Sequence, residues 1–124
     1  CGPAGMLDLL EAHWLAEGRP ALLHTERFRP ALAAIGAGGT VTFASSAKTV
    51  AADGARPLLD VGEDAGVLMP SGCRMGICFG CVTPLREGAV RDLRTGAITT
   101  AAEGDGVLIQ TCISAAAGPC TLDR

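Results

Sequence analysis

The chain has 124 residues and a net charge of −3, a size that suits one small domain with an additional segment. The mild acidity leaves no basic stripe to meet phosphates, which excludes nucleic-acid binding. Hydrophobic residues make up 48% of the chain but aromatic residues only 3%, so the core relies on aliphatic side chains. No apolar stretch reaches the roughly 18 to 20 residues of a membrane span, and no secretory signal is visible, so we expect a cytoplasmic protein.

The first 35 residues predict a helix, a strand and an ambiguous segment. Apolar residues recur at helical spacing from Pro3 to about Glu17, and Gly18 is placed to end the helix. Residues 21–25 predict a short buried strand, and a proline limits any helix within residues 27–35. His13 lies on the predicted helix without an acid–base partner in the pattern, which favours a structural role.

A glycine-rich run, Gly36-Ala37-Gly38-Gly39, predicts a flexible linker at residues 36–39. The alternative reading is a phosphate-binding loop, but the helix and the Lys-Ser/Thr signature that should follow such a loop are missing. We therefore expect two parts, residues 1–35 and residues 40–124.

After the linker the pattern changes to short strands with one helix. Residues 40–44 alternate in polarity and can form a hairpin with residues 48–51. A short helix is predicted from Pro57 to Ala65, with Gly66 ending it. Further strands are predicted at residues 82–87, at 88–92 after a turn, at 107–113 and at 119–123. Together these elements predict an α+β fold, a small mixed sheet with one helix across it.

Four cysteines carry the strongest chemical signal in the chain. Cys73, Cys78 and Cys81 follow a C-x4-C-x2-C spacing in one loop, and Cys112 lies in the most apolar predicted strand. Plant-type [2Fe–2S] clusters take their ligands in this way, with three thiolates from one loop and a distant fourth. The spacing therefore predicts that these four residues bind a [2Fe–2S] cluster as its metal ligands.

The other residues of the loop suit a cluster. Glycines adopt positive φ without steric cost and let backbone N–H groups approach the cluster sulfurs; here they are Gly72, Gly76 and Gly80. Met75 and Phe79 are expected to limit water near the cluster and to form a docking face for a redox partner.

Other uses of the cysteines fit less well. A structural zinc site usually takes two C-x2–4-C pairs, whereas the downstream half supplies Cys112 with only Cys120 nearby. Three cysteines crowded into one short loop also suit a cluster better than disulfides. A Rieske centre needs two His ligands, and neither His13 nor His24 lies near the loop. We expect Cys1 and Cys120 to have no ligand role.

Residues 39–124 resemble plant-type [2Fe–2S] ferredoxin domains, which have the β-grasp fold. The resemblance is carried by residues 58–78, with the P-S-G-C-R-M-G-I-C loop, and by the segment G-V-L-I-Q-T-C that ends at Cys112. It implies one-electron transfer. It also implies that Cys73 and Cys78 ligate one iron, and that Cys81 and Cys112 ligate the other.

The first residues resemble the end of the nucleotide-binding domain of ferredoxin–NADP reductases. The resemblance rests on the C-G-P turn at residues 1–3, the helix and strand, and the T-E-R-F tail at residues 25–28. In reductases of the oxygenase and fatty-acid desaturase type, a ferredoxin domain follows this tail. The β-grasp domain would then be preceded by a helix–strand remnant, residues 1–35, of an NAD(P)-binding domain.

The two resemblances together imply that the chain is a fragment of a flavin oxidoreductase. FAD and NAD(P)H would bind only in the parent enzyme, and the fragment itself would carry electrons without catalytic residues. The flavin reductase domain would be the electron donor in cis. An oxygenase or a fatty-acid desaturase would be the acceptor.

Overall fold

Helix α1 (Ala4–Ala16) and a 3₁₀ turn (Pro20–Leu22) form the first part of the computed structural model, which describes residues 2–26 and 34–124. The helix follows Pro3, which has extended backbone angles. It ends in a Schellman motif, in which Gly18 (φ +69) donates its N–H to Leu15 and Arg19 donates to Trp14. The predicted first helix is confirmed.

The predicted strand at residues 21–25 is wrong. Its first two residues belong to the 3₁₀ turn, and Leu22 is 66% exposed rather than buried. A strand needs a hydrogen-bonded neighbour, and none of the described segments pairs with these residues. The T-E-R-F tail is described only as far as Glu26; its remainder and residues 29–33 of the ambiguous segment lie outside the described residues.

The chain divides into two compact units, Cys1–Pro30 and Ala31–Arg124. The second unit contains helix α2 (Leu58–Asp64) and six strands: β1 (Gly39–Phe43), β2 (Lys48–Ala52), β3 (Val82–Asp92), β4 (Ile98–Ala101), β5 (Val107–Gln110) and β6 (Ser114–Leu122). The strand order is β2-β1-β6-β3-β4, and β5 pairs with β3. Only β1 and β6 pair in parallel; the other ladders are antiparallel. This is the expected α+β class with the β-grasp arrangement, which is confirmed.

The predicted hairpin and second helix are confirmed. Strands β1 and β2 pair with Val41 opposite Val50, and α2 begins after Pro57. The helix ends before Gly66, which has φ +70. Lys48 connects the two elements, because its ammonium donates to the carbonyls of Ala65 (2.6 Å) and Gly66 (3.0 Å) at the C-terminal end of α2, where a positive charge is favoured.

Residues 82–92 form one strand rather than the two predicted strands with a turn at Gly88. The pairing of β3 with β6 shifts register between Leu85 and Glu87 and again between Gly88 and Val90. Gly88 has φ +98, and a Cβ there would overlap the backbone of Pro119 and Cys120. A glycine is therefore required at this position because the strand bulges and a neighbouring strand approaches closely, not because the chain turns.

Two other strand boundaries differ from the sequence prediction, and one strand was not predicted. Strand β5 ends at Gln110, so Cys112 lies in the turn that follows it and not in a strand. Strand β6 begins at Ser114, five residues before the predicted start at Pro119, and β4 was not predicted. The turn at residues 111–113 sends the chain from β5 into β6 and brings Cys112 to the ligand loop.

The glycine run is part of the second unit and packs closely against its backbone. A Cβ at Gly38 would overlap the backbone of Ala52, and one at Gly39, the first residue of β1, would overlap the backbone of Gly118. The predicted division at residues 36–39 lies near the division into two units, and it stays a prediction.

The core of the second unit is aliphatic, as the composition indicated. Its largest fully buried side chains are Phe43, Leu58, Leu59, Leu85, Leu122, Val41 and Val90. Cys81, Cys112 and Cys120 are part of the same cluster of buried residues. The hydrophobic core therefore extends to two of the predicted cluster ligands.

Neither of the helices in the described parts of the chain is long and apolar enough to cross a membrane.

Candidate metal centre

The segment between α2 and β3 carries three of the four predicted ligands and has a strained backbone. Arg74 (φ +56) and Phe79 (φ +58) adopt the left-handed conformation, which bulky side chains rarely do. Such strain persists only where the surrounding structure requires it, and it is concentrated at functional sites. The conformation of this loop is thus specialised around its sulfur atoms.

The first two thiols, those of Cys73 and Cys78, receive hydrogen bonds from the backbone of the loop. The N–H groups of Met75 and Cys78 donate to Cys73 Sγ, both at 3.4 Å. Those of Cys73 and Gly80 donate to Cys78 Sγ at 3.2 and 3.3 Å. The amides of Met75, Ile77 and Cys78 lower the pKa of Cys73 to about 6. At neutral pH this residue is therefore largely a thiolate, the form that binds metal.

The other two thiols, those of Cys81 and Cys112, form a buried pair with their sulfurs 3.1 Å apart. Thr111 joins the two segments, because its hydroxyl donates to the carbonyl of Cys81 at 3.0 Å. Burial raises the pKa of Cys112 to about 11 and contact with Cys81 adds to the rise, while the N–H of Gly76, which faces the sulfur, opposes it. A bound cation would displace the proton from this pair, so metal binding here releases protons.

The thiols are thus grouped two by two. Within the described ranges, no three His, Cys, Asp or Glu side chains converge in the way that ligands of one metal ion do. A structural zinc site places four ligands around one ion, whereas the two irons of a [2Fe–2S] cluster each take two of the four thiolates. The arrangement fits two irons better than a single zinc ion, and the four-cysteine ligand set stays a prediction.

Two glycines of the loop are required by close contacts. A Cβ at Gly72 would lie 2.6 Å from Cys78 Sγ. Gly76 has φ +75, and a Cβ there would lie 2.9 Å from both Arg94 Nη1 and Ile113 Cδ1. A side chain at Gly72 would displace the Cys78 sulfur, and one at Gly76 would displace the side chains of Arg94 and Ile113, so the cradle fits the predicted cofactor.

Arg74 fastens the loop to α2, a contact that the sequence analysis missed. Its guanidinium binds both carboxylate oxygens of Glu63, at 2.6 and 3.0 Å, and also approaches Asp60 at 3.3 Å. The hydrogen bonds to Glu63 and the negative charge of that residue raise the pKa of Arg74. The signal was present in the sequence, since an Arg directly after a ligand follows a helix with two acidic residues three positions apart.

The outer edge of the loop is apolar and exposed, as expected for Met75 and Phe79. Met75 is 45% exposed, Ile77 70% and Phe79 66%. Cys120, in contrast, is buried in β6, and its burial raises its pKa to about 11. Cys1 lies outside the described residues.

A family described as "2Fe-2S iron-sulfur cluster binding domain" matches residues 41–117, a range that contains all four predicted ligands. The chain belongs to this family. Its cofactor is therefore a [2Fe–2S] cluster, and the function of this ferredoxin domain is electron transfer.

Proteins similar to this ferredoxin chain are reductases. It is 54% identical over 124 residues to "NADPH oxidoreductase" of Mycobacterium tuberculosis, a match that covers 99% of this chain and 32% of that protein. It is 37% identical over 125 residues to "3-chlorobenzoate-3,4-dioxygenase reductase subunit" of Comamonas testosteroni, covering 99% of this chain and 38% of that protein. The chain thus spans about a third of the length of these two relatives.

A solved structure extends the likeness to the whole chain. The structure described as "phthalate dioxygenase reductase: a modular structure for electron transfer from pyridine nucleotides to [2Fe-2S]" aligns with a TM-score of 0.61 and 26% identity. The alignment covers 100% of this chain and 38% of that one. The ferredoxin chain therefore resembles part of a modular reductase, and the expected relation to oxidoreductases is confirmed.

Proposed function

We propose that the chain relays single electrons from a reduced flavin in a parent reductase to an oxygenase or a fatty-acid desaturase. The observation that carries the proposal is the grouping of four thiols into two pairs under a shell of backbone N–H groups, within a [2Fe–2S] domain. The reductase relatives support the same role.

The proposed ligands are Cys73 and Cys78 on one iron, and Cys81 and Cys112 on the other. When bound, the cluster supplies a one-electron site, near roughly −400 mV in plant-type ferredoxins. The loop N–H groups that face Cys73 and Cys78 would stabilise the negative charge that arrives with the electron. The buried pair would be shielded from water, since Cys81 and Cys112 are only 2% and 6% exposed.

The proposed route out of the cluster runs through the exposed edge of the loop. Met75, Ile77 and Phe79 expose apolar surface directly beside the ligands Cys73 and Cys78. Contact at this edge would bring an acceptor close to the cluster while excluding water from the interface. We therefore assign this edge, defined by Met75, Ile77 and Phe79, as the acceptor face.

The proposed electron source is a flavin domain of the same parent protein, with NADPH as the hydride donor. The relative at 54% identity is named an NADPH oxidoreductase, and the relative at 37% identity is named a dioxygenase reductase subunit. Residues 1–35 would be the end of the NAD(P)-binding domain and residues 36–39 the linker to the ferredoxin domain. A cytoplasmic location stays a prediction from the sequence.

The cluster is tested by visible and electron paramagnetic resonance spectra of the purified chain before and after anaerobic reduction with dithionite. We expect a red-brown protein that bleaches on reduction and gains a rhombic spin-one-half signal at low temperature. A colourless, silent protein that contains zinc would refute electron transfer.

The acceptor is tested by mixing the reduced chain with an oxygenase component and, separately, with a fatty-acid desaturase. Rapid, saturable reoxidation by one of the two identifies the acceptor class. If neither protein reoxidises the chain faster than buffer containing oxygen does, the proposed acceptors are refuted. In the full-length parent, NADPH should reduce the cluster faster than NADH.

A further inference from the structure

The turn between β3 and β4 is closed by its own hydrogen bonds and is anchored beside Cys112. Asp92 Oδ1 accepts from the N–H groups of Arg94 (2.7 Å) and Thr95 (3.0 Å). Leu93 donates its N–H to the carbonyl of Ile113, the residue after Cys112, at 2.8 Å. The position of Arg94 is therefore fixed relative to the fourth proposed ligand.

The side chain of Arg94 reaches from this turn to the ligand loop. Its Nη2 lies 3.1 Å from Asp92 Oδ2, and its Nη1 occupies the space where a Cβ of Gly76 would come within 2.9 Å. The Gly76 N–H faces the Cys112 sulfur. The guanidinium thus lies close to the same glycine whose N–H faces this sulfur, and the Arg94 side chain is only 34% exposed.

The charge on Arg94 is balanced differently from that on Arg74. Arg74 is shared between two carboxylates, Glu63 and Asp60, so the group carries a net negative charge. Arg94 has one carboxylate partner, Asp92, on the side of the guanidinium away from Gly76. The hydrogen bonds that Arg94 donates to Asp92 raise the pKa of Arg94.

We propose that Arg94 is a positioning residue for the cluster: held by Asp92 against Gly76, its guanidinium keeps the Gly76 N–H on the Cys112 sulfur and raises the reduction potential. The inference rests on the proposed ligand role of Cys112. Reduction adds negative charge to the cluster, so a fixed cation in a partly buried site favours the reduced state. Asp92 fixes the guanidinium and at the same time opposes its field.

The test is a redox titration followed by electron paramagnetic resonance for the chain and three variants. Arg94→Gln should lower the equilibrium constant for reduction about tenfold, which is about 59 mV for one electron. Arg94→Lys should recover part of this loss, because it restores the charge. Asp92→Asn should shift the potential in the opposite direction, since Asn keeps the oxygen that accepts from Arg94 and Thr95 but removes the negative charge.

A matched control is Arg86→Gln. Arg86 is a half-exposed arginine that also pairs with an aspartate, but its partner is Asp123. We expect it to change the equilibrium constant less than twofold, because exposed charges are screened. The proposal is overturned if Arg94→Gln shifts the potential no more than this control. It is also overturned if Arg94→Gln and Asp92→Asn lower the potential together, as general loosening of the turn would do.

Different results would refute the cluster and the role of Arg94. An unmodified chain without the spin-one-half signal defeats the cluster proposal, whereas a normal signal with unshifted variants defeats only the role of Arg94. If the Arg94→Gln variant binds no cluster, the reduction potential of the Asp92→Asn variant is the test. A raised potential supports the proposal, and an unchanged or lowered potential refutes it.

Discussion

Cys81 and Cys120 are both buried cysteines of the second unit, at 2% and 3% exposure, but their surroundings differ. Cys81 Sγ lies 3.1 Å from another thiol, that of Cys112. Cys120 lies in β6 opposite Gly88 and belongs to the hydrophobic core. At the scale of single residues, burial alone therefore does not distinguish the proposed ligand from Cys120, whereas the approach of a second sulfur does.

Replacing each of these cysteines with alanine separates the two roles. We expect Cys81→Ala to abolish the visible absorbance and bound iron, because one iron loses a thiolate. Cys120→Ala should keep both and lose only a small part of its stability through the cavity it leaves. Iron content and the visible spectrum measure the outcome, and loss of colour in Cys120→Ala would contradict the ligand assignment.

Cys120 also predicts a pH dependence of stability. Burial raises its pKa to about 11 from the ordinary 9.0, so the folded state holds the thiol proton more tightly than the unfolded state does. The stabilisation is fully present below pH 9 and is lost as the pH rises from 9 to 11, by about 3 kcal/mol in total. Urea unfolding between pH 8 and 11 measures it. Cys120→Ala is the reference: a wild type that loses no more stability than this variant would contradict the prediction.

At the scale of elements, the sequence predicted what local patterns determine. The hairpin of β1 and β2 follows from the alternation of polarity, and helix α2 follows from Pro57 before it and Gly66 after it. These two strands and the helix were predicted correctly. The positions of the cysteines sufficed to predict the cofactor, because ligand spacing is a local property of the sequence.

The errors concern properties that depend on distant partners. The strand predicted at residues 21–25 has no described neighbour to pair with, and Gly88 was interpreted as a turn because its contact with Pro119 is not visible in sequence. Strand β4 was missed since three of its four residues are exposed and show no alternation. The contact of Arg94 with Gly76 likewise joins two separate segments of the chain, the β3–β4 turn and the ligand loop.

The ion pair between the ligand loop and α2 should govern how firmly the loop encloses the cluster. We expect Arg74→Met to lose the cluster several-fold faster in the presence of a chelator, because Glu63 and Asp60 no longer hold the loop. The decay of visible absorbance measures this rate. Arg56→Met removes a similarly exposed pair with Asp64 on the same helix and should leave the rate unchanged. Equal rates in the two variants would show that the loop needs no such fastening.

At the scale of the whole molecule, the acceptor face is distinguished by exposed apolar side chains next to the ligands. We expect Ile77→Glu to slow electron transfer to the acceptor at least tenfold, because a charge at the centre of an apolar contact must be desolvated. The spin-one-half signal should remain. Leu9→Glu, on a residue of α1 that is 74% exposed, is the control. Stopped-flow reoxidation measures both, and an equal effect of the two substitutions would place docking elsewhere.

The parallel pairing of β1 with β6 sets the order in which the domain is completed during synthesis. β6 lies between β1 and β3 in the sheet, yet it follows the other five described strands of this sheet in sequence and leaves the ribosome after them. The sheet closes only through this contact between distant parts of the chain, a step that is slow in folding. The four proposed ligand cysteines precede β6 in sequence, so they emerge before the sheet that orients them exists. Iron delivered at that stage would meet free thiols rather than a formed cradle, so we expect cluster assembly to follow translation of the domain.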